Sequence, residues 1–477
     1  MLRILLILFG CLTATAQVCA LPVFPQAEGF GIETTGGRGG VVCKVTNLDD
    51  SGKGSLRDCV EMDQPRIVVF TTGGTIKLKT NLTVSHPFIS IFGQTASGDG
   101  IMITGEASIE REPFTIATHD VVIQHVRFRA GAADTSNCCR DALSIKGAEG
   151  KSDGKQTYNI VLDHCSFSWG TNTIVSTWFD AHNITISHSI IGPSLYNGSD
   201  SEGPTSQGVL LGTVGAHSIS FHHNLLVHSQ AYNPRIQTSG GVVDIVNNVI
   251  YNWGVNATEI ASDSGDMQVN LVQNLYIMGA NSAQGVEEII ARNHEKTRLY
   301  LEENLSIRET GQPEPLPVSL NFTGWANDSE WEQSERFPAP DISTFKAQVL
   351  ANKVLNNVGA TLPKQDHIDN AAIKDVKEHT GFIPHCVAAN DKTWIMSCEK
   401  NAGGWPNYSQ GMPHPDRDND GIPDTWEAAN GMNPDKADST KDYNANGYMN
   451  IEEWVFSLTP TNDPVPITKT AANKHKS

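Results

Sequence analysis

Six copies of one short phrase constrain this chain more than anything else in it: VLDHCSF (Val161 to Phe167), ITISHSI (Ile184 to Ile190), ISFHHNL (Ile219 to Leu225), VDIVNNV (Val243 to Val249), VNLVQNL (Val269 to Leu275) and LYLEENL (Leu299 to Leu305). Apolar residues two apart give each copy the period of a strand with one face inside. The copies begin at 161, 184, 219, 243, 269 and 299, so the phrase returns after 23 to 35 residues. Such a unit cannot bury its apolar face alone and becomes stable by stacking, as the coils of a solenoid do. The sixth position holds Ser166, Ser189, Asn224, Asn248, Asn274 and Asn304, a column of side chains able to hydrogen-bond along the axis at a turn. The reading is an all-β chain, a right-handed parallel β-helix. FISIFGQ (Phe88 to Gln94) and VIQHVRF (Val122 to Phe128) extend it more loosely toward the N-terminus.

Composition supports many short strands and tight turns, with 42 glycines among 477 residues and few aromatics. Met1-Leu2-Arg3, the apolar run Ile4 to Leu12 and the small-residue site before Leu21 read as a secretory signal over residues 1–20, too short to span a bilayer. The protein is therefore expected to be extracellular, or periplasmic or surface-bound in a bacterium, with no membrane span and as a monomer. In an oxidising compartment Cys43 with Cys59, and Cys386 with Cys398, are plausible bridges, and the odd count of mature cysteines leaves at least one unpaired. Asn81, Asn183, Asn321 and Asn407 open glycosylation sequons usable in a eukaryotic host. A formal net charge of −19 argues against nucleic acid as a partner.

Toward the C-terminus, Asp416, Asp418, Asp420, Gly421, Asp424 and Glu427 occupy positions 1, 3, 5, 6, 9 and 12 of an EF-hand-type loop, with oxygen ligands around a glycine turn. Asp442, Asn444, Asn446, Gly447, Asn450 and Glu453 repeat the register with fewer charges, so weaker Ca²⁺ binding is expected there. The pair resembles dockerin-like or thrombospondin-type-3-like calcium modules. Between solenoid and tail, apolar spacing predicts helices over Thr344 to Asn356 and Ile368 to His379, expected to close the C-terminal end of the solenoid. The organisation is a signal (1–20), a β-helix domain (21–310), an extension packing on and capping it (311–405), a small helical, EF-hand-like calcium tail (406–460) and a disordered end (461–477).

A family resemblance is carried by FPQAEGFGIETTGGRGG (Phe24 to Gly40), VTNLDDSGKGSLRDCV (Val45 to Val60), RIVVF (Arg66 to Phe70), ISIFGQTASGDGI (Ile89 to Ile101), DALSI (Asp141 to Ile145), LDHCSFSWG (Leu162 to Gly170), FHHNLLVHS (Phe221 to Ser229), NPR (Asn233 to Arg235) and VVDIVNNVIYNWG (Val242 to Gly254). Together they are similar to the secreted pectate lyases of polysaccharide lyase family one, from Phe24 through Trp405. The resemblance implies a parallel β-helix whose groove, beside the third sheet, binds an acidic polysaccharide. It also implies β-elimination: a base takes the proton at C5, alpha to a carboxylate, and the glycosidic oxygen leaves C4. Positive groups must meet the transient enolate, and in the family calcium ligands, a lysine and a base arginine do this work.

This chain departs from that set. The family's Thr-Asp-Glu after SFSWG is Thr171-Asn172-Thr173, its His-Ser-Lys-Gly is Thr205-Ser206-Gln207-Gly208, and its Ser-Arg-Asn-Pro-Arg is Ala231-Tyr232-Asn233-Pro234-Arg235. Asp141, Asp163, His164, His222, His223 and Arg235 match. Three readings fit. In the first, Tyr232 is the base of a re-specialised lyase, with Arg235 as the nearby cation that would lower its ordinary pKa of ~10. The second is a calcium-dependent lyase with a shifted site built on Asp141 and Arg235. The third is a non-catalytic β-helix that binds acidic glycans. The expected catalytic residues are Tyr232 and Arg235, and the expected substrate contacts are Asn172, Gln207, Asp163, His164, His223 and Arg127. Asp141 is the candidate calcium ligand of the groove, and Arg127, Arg129 and Lys146 its candidate cationic floor. For Trp169 and Trp253, burial at a turn competes with stacking on sugar.

Overall fold

The computed structural model describes residues 21–459 and 468–469, leaving out 110, 133–139, 149–155, 197–204, 213–214, 216, 262–265, 285–287, 293–296, 309–310, 316–317, 321–330 and 387–397. The segment read as a signal, and the sequence end apart from 468–469, lie outside the described residues. Thr468–Lys469 pair antiparallel with Ser343–Thr344.

The chain visits three sheets in turn. Tyr158–Asp163 belongs to the first, Ser166–Ser168 to the second and Val175–Trp178 to the third, and His182–Ser187 then re-enters the first beside Tyr158–Asp163. Repetition builds sheets of eleven, ten and nine strands. Pairing within them is parallel except at Pro313–Pro315, which runs antiparallel to Leu305–Ile307. Alternation decides what faces inward. Ile160, Leu162, Phe167, Val175, Ile184, Ile186, Ile191, Val209 and Leu211 are fully buried in one continuous core along the axis.

The expected ladder forms at the turn from the first sheet to the second. Asn224 N and Nδ2 donate to Asn248 Oδ1 (both 3.0 Å), Asn248 N and Nδ2 donate to Asn274 Oδ1, and Asn274 repeats the pattern with Asn304. Ser189 N donates to Asn224 Oδ1. One member differs from expectation. Leu162 pairs with Ile186, so Cys165, not Ser166, stands below Ser189, and Cys165 N donates to Ser189 Oγ. The residue before each ladder position turns the chain with φ between 45° and 55°: His125, His164, His188, His223, Asn247, Gln273 and Glu303.

Beyond the solenoid the chain doubles back. Helices Ala347–Leu355 and His367–Glu378 form close to where periodicity predicts them. They do not close the C-terminal end. Leu350, Val354, Ala372 and Val376 instead cover Ile190, Leu225, Val249, Leu275 and Tyr251 on the outward face of the second sheet. Residues 416–457 then return to the first coils, where Ile422, Ile451, Trp454 and Val455 pack on Ile67, Val69, Phe92, Val122 and Val161. Both expected disulfides are present, and Cys165 is buried without one.

Candidate active site

Alternation along the third sheet sends Thr115, Ser144, Ser176, Leu210, Arg235 and Glu259 outward in one row across successive coils. Their neighbours Ile145, Val175, Val209, Ile236 and Ile260 point into the core. The loops entering these strands bring three expected residues together. Gln207 N donates to Asn172 O at 2.7 Å, and Gln207 bridges to Ala231, so Asn172, Gln207 and Tyr232 stand on successive coils at one edge of the sheet. All three are partly exposed.

Tyr232 takes a left-handed backbone, φ 59°, immediately before the Arg235–Ile236 strand. Arg235 Nη1 donates to Tyr232 Oη at 2.8 Å, Nε donates to Gln237 Oε1 at 3.0 Å, and Nη1 lies 3.5 Å from Glu259 Oε1. The expected pairing of this arginine with the phenol is therefore present. A phenol held by a guanidinium at the rim of a groove can shuttle a proton while the cation meets developing negative charge.

Asp141 lies on the same sheet, nearer the N-terminus. It accepts from Thr173 Oγ1 at 2.5 Å and from Ser176 Oγ, and burial pushes its carboxyl up to about 7. Among the described residues it joins no cluster of three metal-ligating side chains. Its hydrogen-bond partners are the hydroxyls of Thr173 and Ser176. Lys146 pairs with Glu112, and Trp178 Nε1 donates to Ser176 Oγ at 2.7 Å.

Four other expected substrate contacts lie elsewhere. Asp163, His164 and His223 sit at the turn between the first and second sheets, the corner opposite the third sheet. The rings of His125, His164, His188 and His223 stack there at 5.0, 4.8 and 5.0 Å. Asp163 accepts from Gln124 Nε2 and Ser187 Oγ and pairs with Nδ1 of His164 (2.8 Å) and His188 (3.3 Å). Burial opposes its ionisation, yet His164 and His188 hold its pKa well below the usual carboxylate range. Asp163, His164 and His188 bring three potential ligand atoms within 4.8 Å of one another. The two rings are parallel within 7°, however, so their in-plane lone pairs do not converge on one ion. This corner also lines a cavity of about 330 Å³ beneath Phe24, Glu28 and Phe456.

Arg127 is likewise corrected. It is fully buried on the second sheet, donates to Ala360 O at 2.8 Å and pairs with Asp366, while Arg129 beside it pairs with Asp366 and Asp369. Neither forms a cationic floor with Lys146, which belongs to the third sheet. Trp169 and Trp253 are buried, as the packing reading had it.

In the tail, carboxylate oxygens of Asp416, Asp418 and Asp420 converge, as do those of Asp420, Glu427 and Asp438. Glu427 is fully buried and both its carboxylate oxygens lack a hydrogen-bond partner, as does Asp418 Oδ2. Burial and the charges of Asp418 and Asp420 push the Glu427 carboxyl up to about 7. An unpaired buried carboxylate is costly unless a cation meets it, so these residues fit a hard cation held by oxygens. Asp424 turns to Arg417, whose N donates to its Oδ1 at 2.9 Å. In the second loop Asn444 and Asn446 donate to Glu453 Oε1, Asp442 accepts from the Asn446 and Gly447 amides, and Asn450 accepts from Tyr443 N.

No family model matches the chain. Comparison with curated proteins gives near full-length relatives. "Probable pectate lyase C" of Aspergillus oryzae is 33% identical over 457 residues, covering 95% of this chain and 98% of that protein. The protein of the same name from Aspergillus terreus is 34% identical, covering 96% and 99%. The chain belongs to the pectate lyase family. A solved thermostable pectate lyase, PL 47, is 14% identical with a TM-score of 0.49, over 72% of this chain and 98% of that one.

Within this pectate lyase fold, the residues that sequence reading missed are Thr173, Ser176, Trp178, Glu112 and Glu259 on the groove and Asp438 in the tail. Strand alternation through Val175–Trp178 carried the signal for Ser176 and Trp178. Asp438 carried none, because it lies outside both loop registers and reaches the cluster through Asp438 N and Ser439 N, which donate to Asp420 Oδ2.

Proposed function

We propose that the protein is a secreted, monomeric polysaccharide lyase that cleaves a uronate-containing polymer such as pectate by β-elimination, with Tyr232 as the base. The observation that carries this reading is the 2.8 Å hydrogen bond from Arg235 to the Tyr232 hydroxyl at the groove rim, in a chain 33% identical over nearly its whole length to proteins called probable pectate lyases. Acting as its phenolate, Tyr232 takes the C5 proton on Oη and becomes the phenol, the C5–H electrons form the C4=C5 double bond, the C4–O bond breaks, and the leaving oxygen takes a proton from water. Arg235, with the amides of Asn172 and Gln207 along the same edge, binds the acid group at C6 and stabilises the enolate. Calcium has its best-fitting residues in the EF-hand-like tail, where Asp416, Asp418, Asp420, Glu427 and Asp438 would hold it and tie the tail to the first coils. The test is absorbance of unsaturated uronate ends released from polyuronates. Release by the native chain and none by Tyr232→Phe supports the reading, and an equally active Tyr232→Phe overturns Tyr232 as base.

A further inference from the structure

We propose that the protein carries a second saccharide site, separate from the groove, on the outward face of the second sheet at its first coils. There an acidic sugar unit lies on Trp405 with its carboxylate at Lys77. The site goes beyond the lyase reading and does not depend on which residue is the base.

Strand alternation builds its floor. Ile76, Leu78 and Ile103 point into the core, so Thr75 and Lys77 of Gly74–Leu78, and Met102 and Thr104 of Ile101–Gly105, point outward. The register sets Thr75 beside Met102 and Lys77 beside Thr104. Farther along the solenoid, the apolar outer face of this sheet lies under the helices Ala347–Leu355 and His367–Glu378. At the first coils the covering chain leaves a cavity of about 340 Å³, lined by Lys77, Met102, Thr104, Gly131, Glu399 and Trp405. That volume suits a small molecule or a short stretch of a polymer.

Trp405 supplies a rigid apolar wall. It is 45% exposed, yet its ring is fixed edge-to-face against the buried Trp169, with centroids 4.6 Å apart and planes at 89°. Gly131 makes the seat: a Cβ there would lie 2.9 Å from Trp405 Cζ2, and its φ of 72° favours glycine. An exposed indole already held in place offers the C–H face of a sugar ring a flat surface, with little side-chain entropy left to lose on binding.

The polar groups of the cavity match the rest of such a ring. Thr104 is 3% exposed and its Oγ1 has no hydrogen-bond partner, whereas buried hydroxyls are nearly always bonded. A sugar hydroxyl entering the cavity would satisfy it. Glu399 Oε1 accepts from Ala132 N at 2.8 Å, and the carboxylate has lone pairs left to accept from a second sugar hydroxyl. Lys77 is exposed, and among the described residues it forms no ion pair, so its ammonium is available to an acid group. Apolar wall, hydroxyl partners and one cation together select a uronate, the sugar class of the polymer on which the chain's family acts. Holding the polymer here keeps other stretches of it near the groove on the neighbouring sheet.

The experiment uses the full-length protein. Electrophoresis through gels holding graded amounts of polygalacturonate gives a Kd from the retardation, and kcat/KM is measured in parallel on soluble trigalacturonate. Lys77→Gln and Trp405→Ala are each expected to raise the Kd about tenfold and to leave kcat/KM on the trimer unchanged. Thr104→Val, of similar shape, should weaken retardation in the same direction. Because Trp405→Ala also removes packing on Trp169, a loss confined to that variant overturns the site, as does an unchanged Kd in all three. A parallel fall in kcat/KM on the trimer makes these residues part of the groove and overturns a separate site. Absence of cleavage of both trimer and polymer by the native chain overturns the lyase reading, and the retardation series still decides this one.

Discussion

Tyr232 and Arg235 stand three residues apart in sequence and are joined by one hydrogen bond. Replacing the phenol by phenylalanine removes the proton acceptor and little volume, so Tyr232→Phe is expected to lower kcat by about 10² to 10⁴ with KM nearly unchanged, measured by release of unsaturated ends. At the opposite corner, burial and the neighbouring His188 lower the pKa of His222 to about 3, and His125 and His223 are likewise held well below the ordinary value. These imidazoles stay neutral in the fold but take up protons near pH 6.5 once unfolded. The unfolded chain then binds more protons, and stability falls as pH drops from about 6.5 toward 3, by up to about 1.4 kcal/mol per pH unit for each such imidazole. Urea midpoints measured from pH 7 down to pH 4 should show this loss, and His222→Gln should flatten it. A midpoint independent of pH across that range would remove the buried neutral imidazoles as the cause.

At the scale of elements, the asparagine ladder is both the clearest sequence signal and the most exposed to a single change. Asn248 accepts from the backbone and side chain of Asn224 and donates to Phe221 O and Asn274 Oδ1. Asn248→Ala leaves the buried Asn224 N–H without its acceptor, and the expected loss is about 3 kcal/mol or more by chemical denaturation. A loss below about 0.5 kcal/mol would mean that neighbouring groups or water replace these bonds. The turn also shows how far pattern reaches. Hydrophobic period placed the strands, but an offset of one residue in the first copy put Ser166 where Cys165 belongs, because strand pairing sets register and a short phrase does not. The helix predictions succeeded for the same reason that the capping prediction failed. Periodicity reports that a helix has an apolar face, here Leu350, Val354, Ala372 and Val376, and is silent on which partner covers it.

For the molecule as a whole, the tail is part of the solenoid's packing. Ile422, Ile451, Trp454 and Val455 cover apolar residues of the first sheet, and Lys44 and Arg38 pair with Asp416 and Glu452. A chain ending at residue 405 is expected to aggregate, seen as loss of the monomer peak in gel filtration, because Ile67, Val69, Phe92, Val122 and Val161 would lose their cover. Calcium in excess should raise Tm, with a stabilisation of about 2.7 kcal/mol at a hundredfold over Kd, and Glu427→Gln should abolish the gain. An undiminished gain in that variant would place the ion elsewhere.

The sequence by itself determined the repeating strands, the ladder and the two disulfides, because each is a short-range pattern with a fixed period or spacing. It also brought Tyr232, Arg235, Asn172 and Gln207 into one candidate site, since each stands at a motif position shared with the pectate lyases. Only the tertiary structure separated Asp163, His164 and His223 from that site, buried Arg127 under the returning chain, and brought Asp438 to Glu427. Each of these turns on which corner of a coil a residue occupies, or on which distant segment covers it. Those are set by packing between coils and by the path of residues 340–457, and no local spacing encodes them.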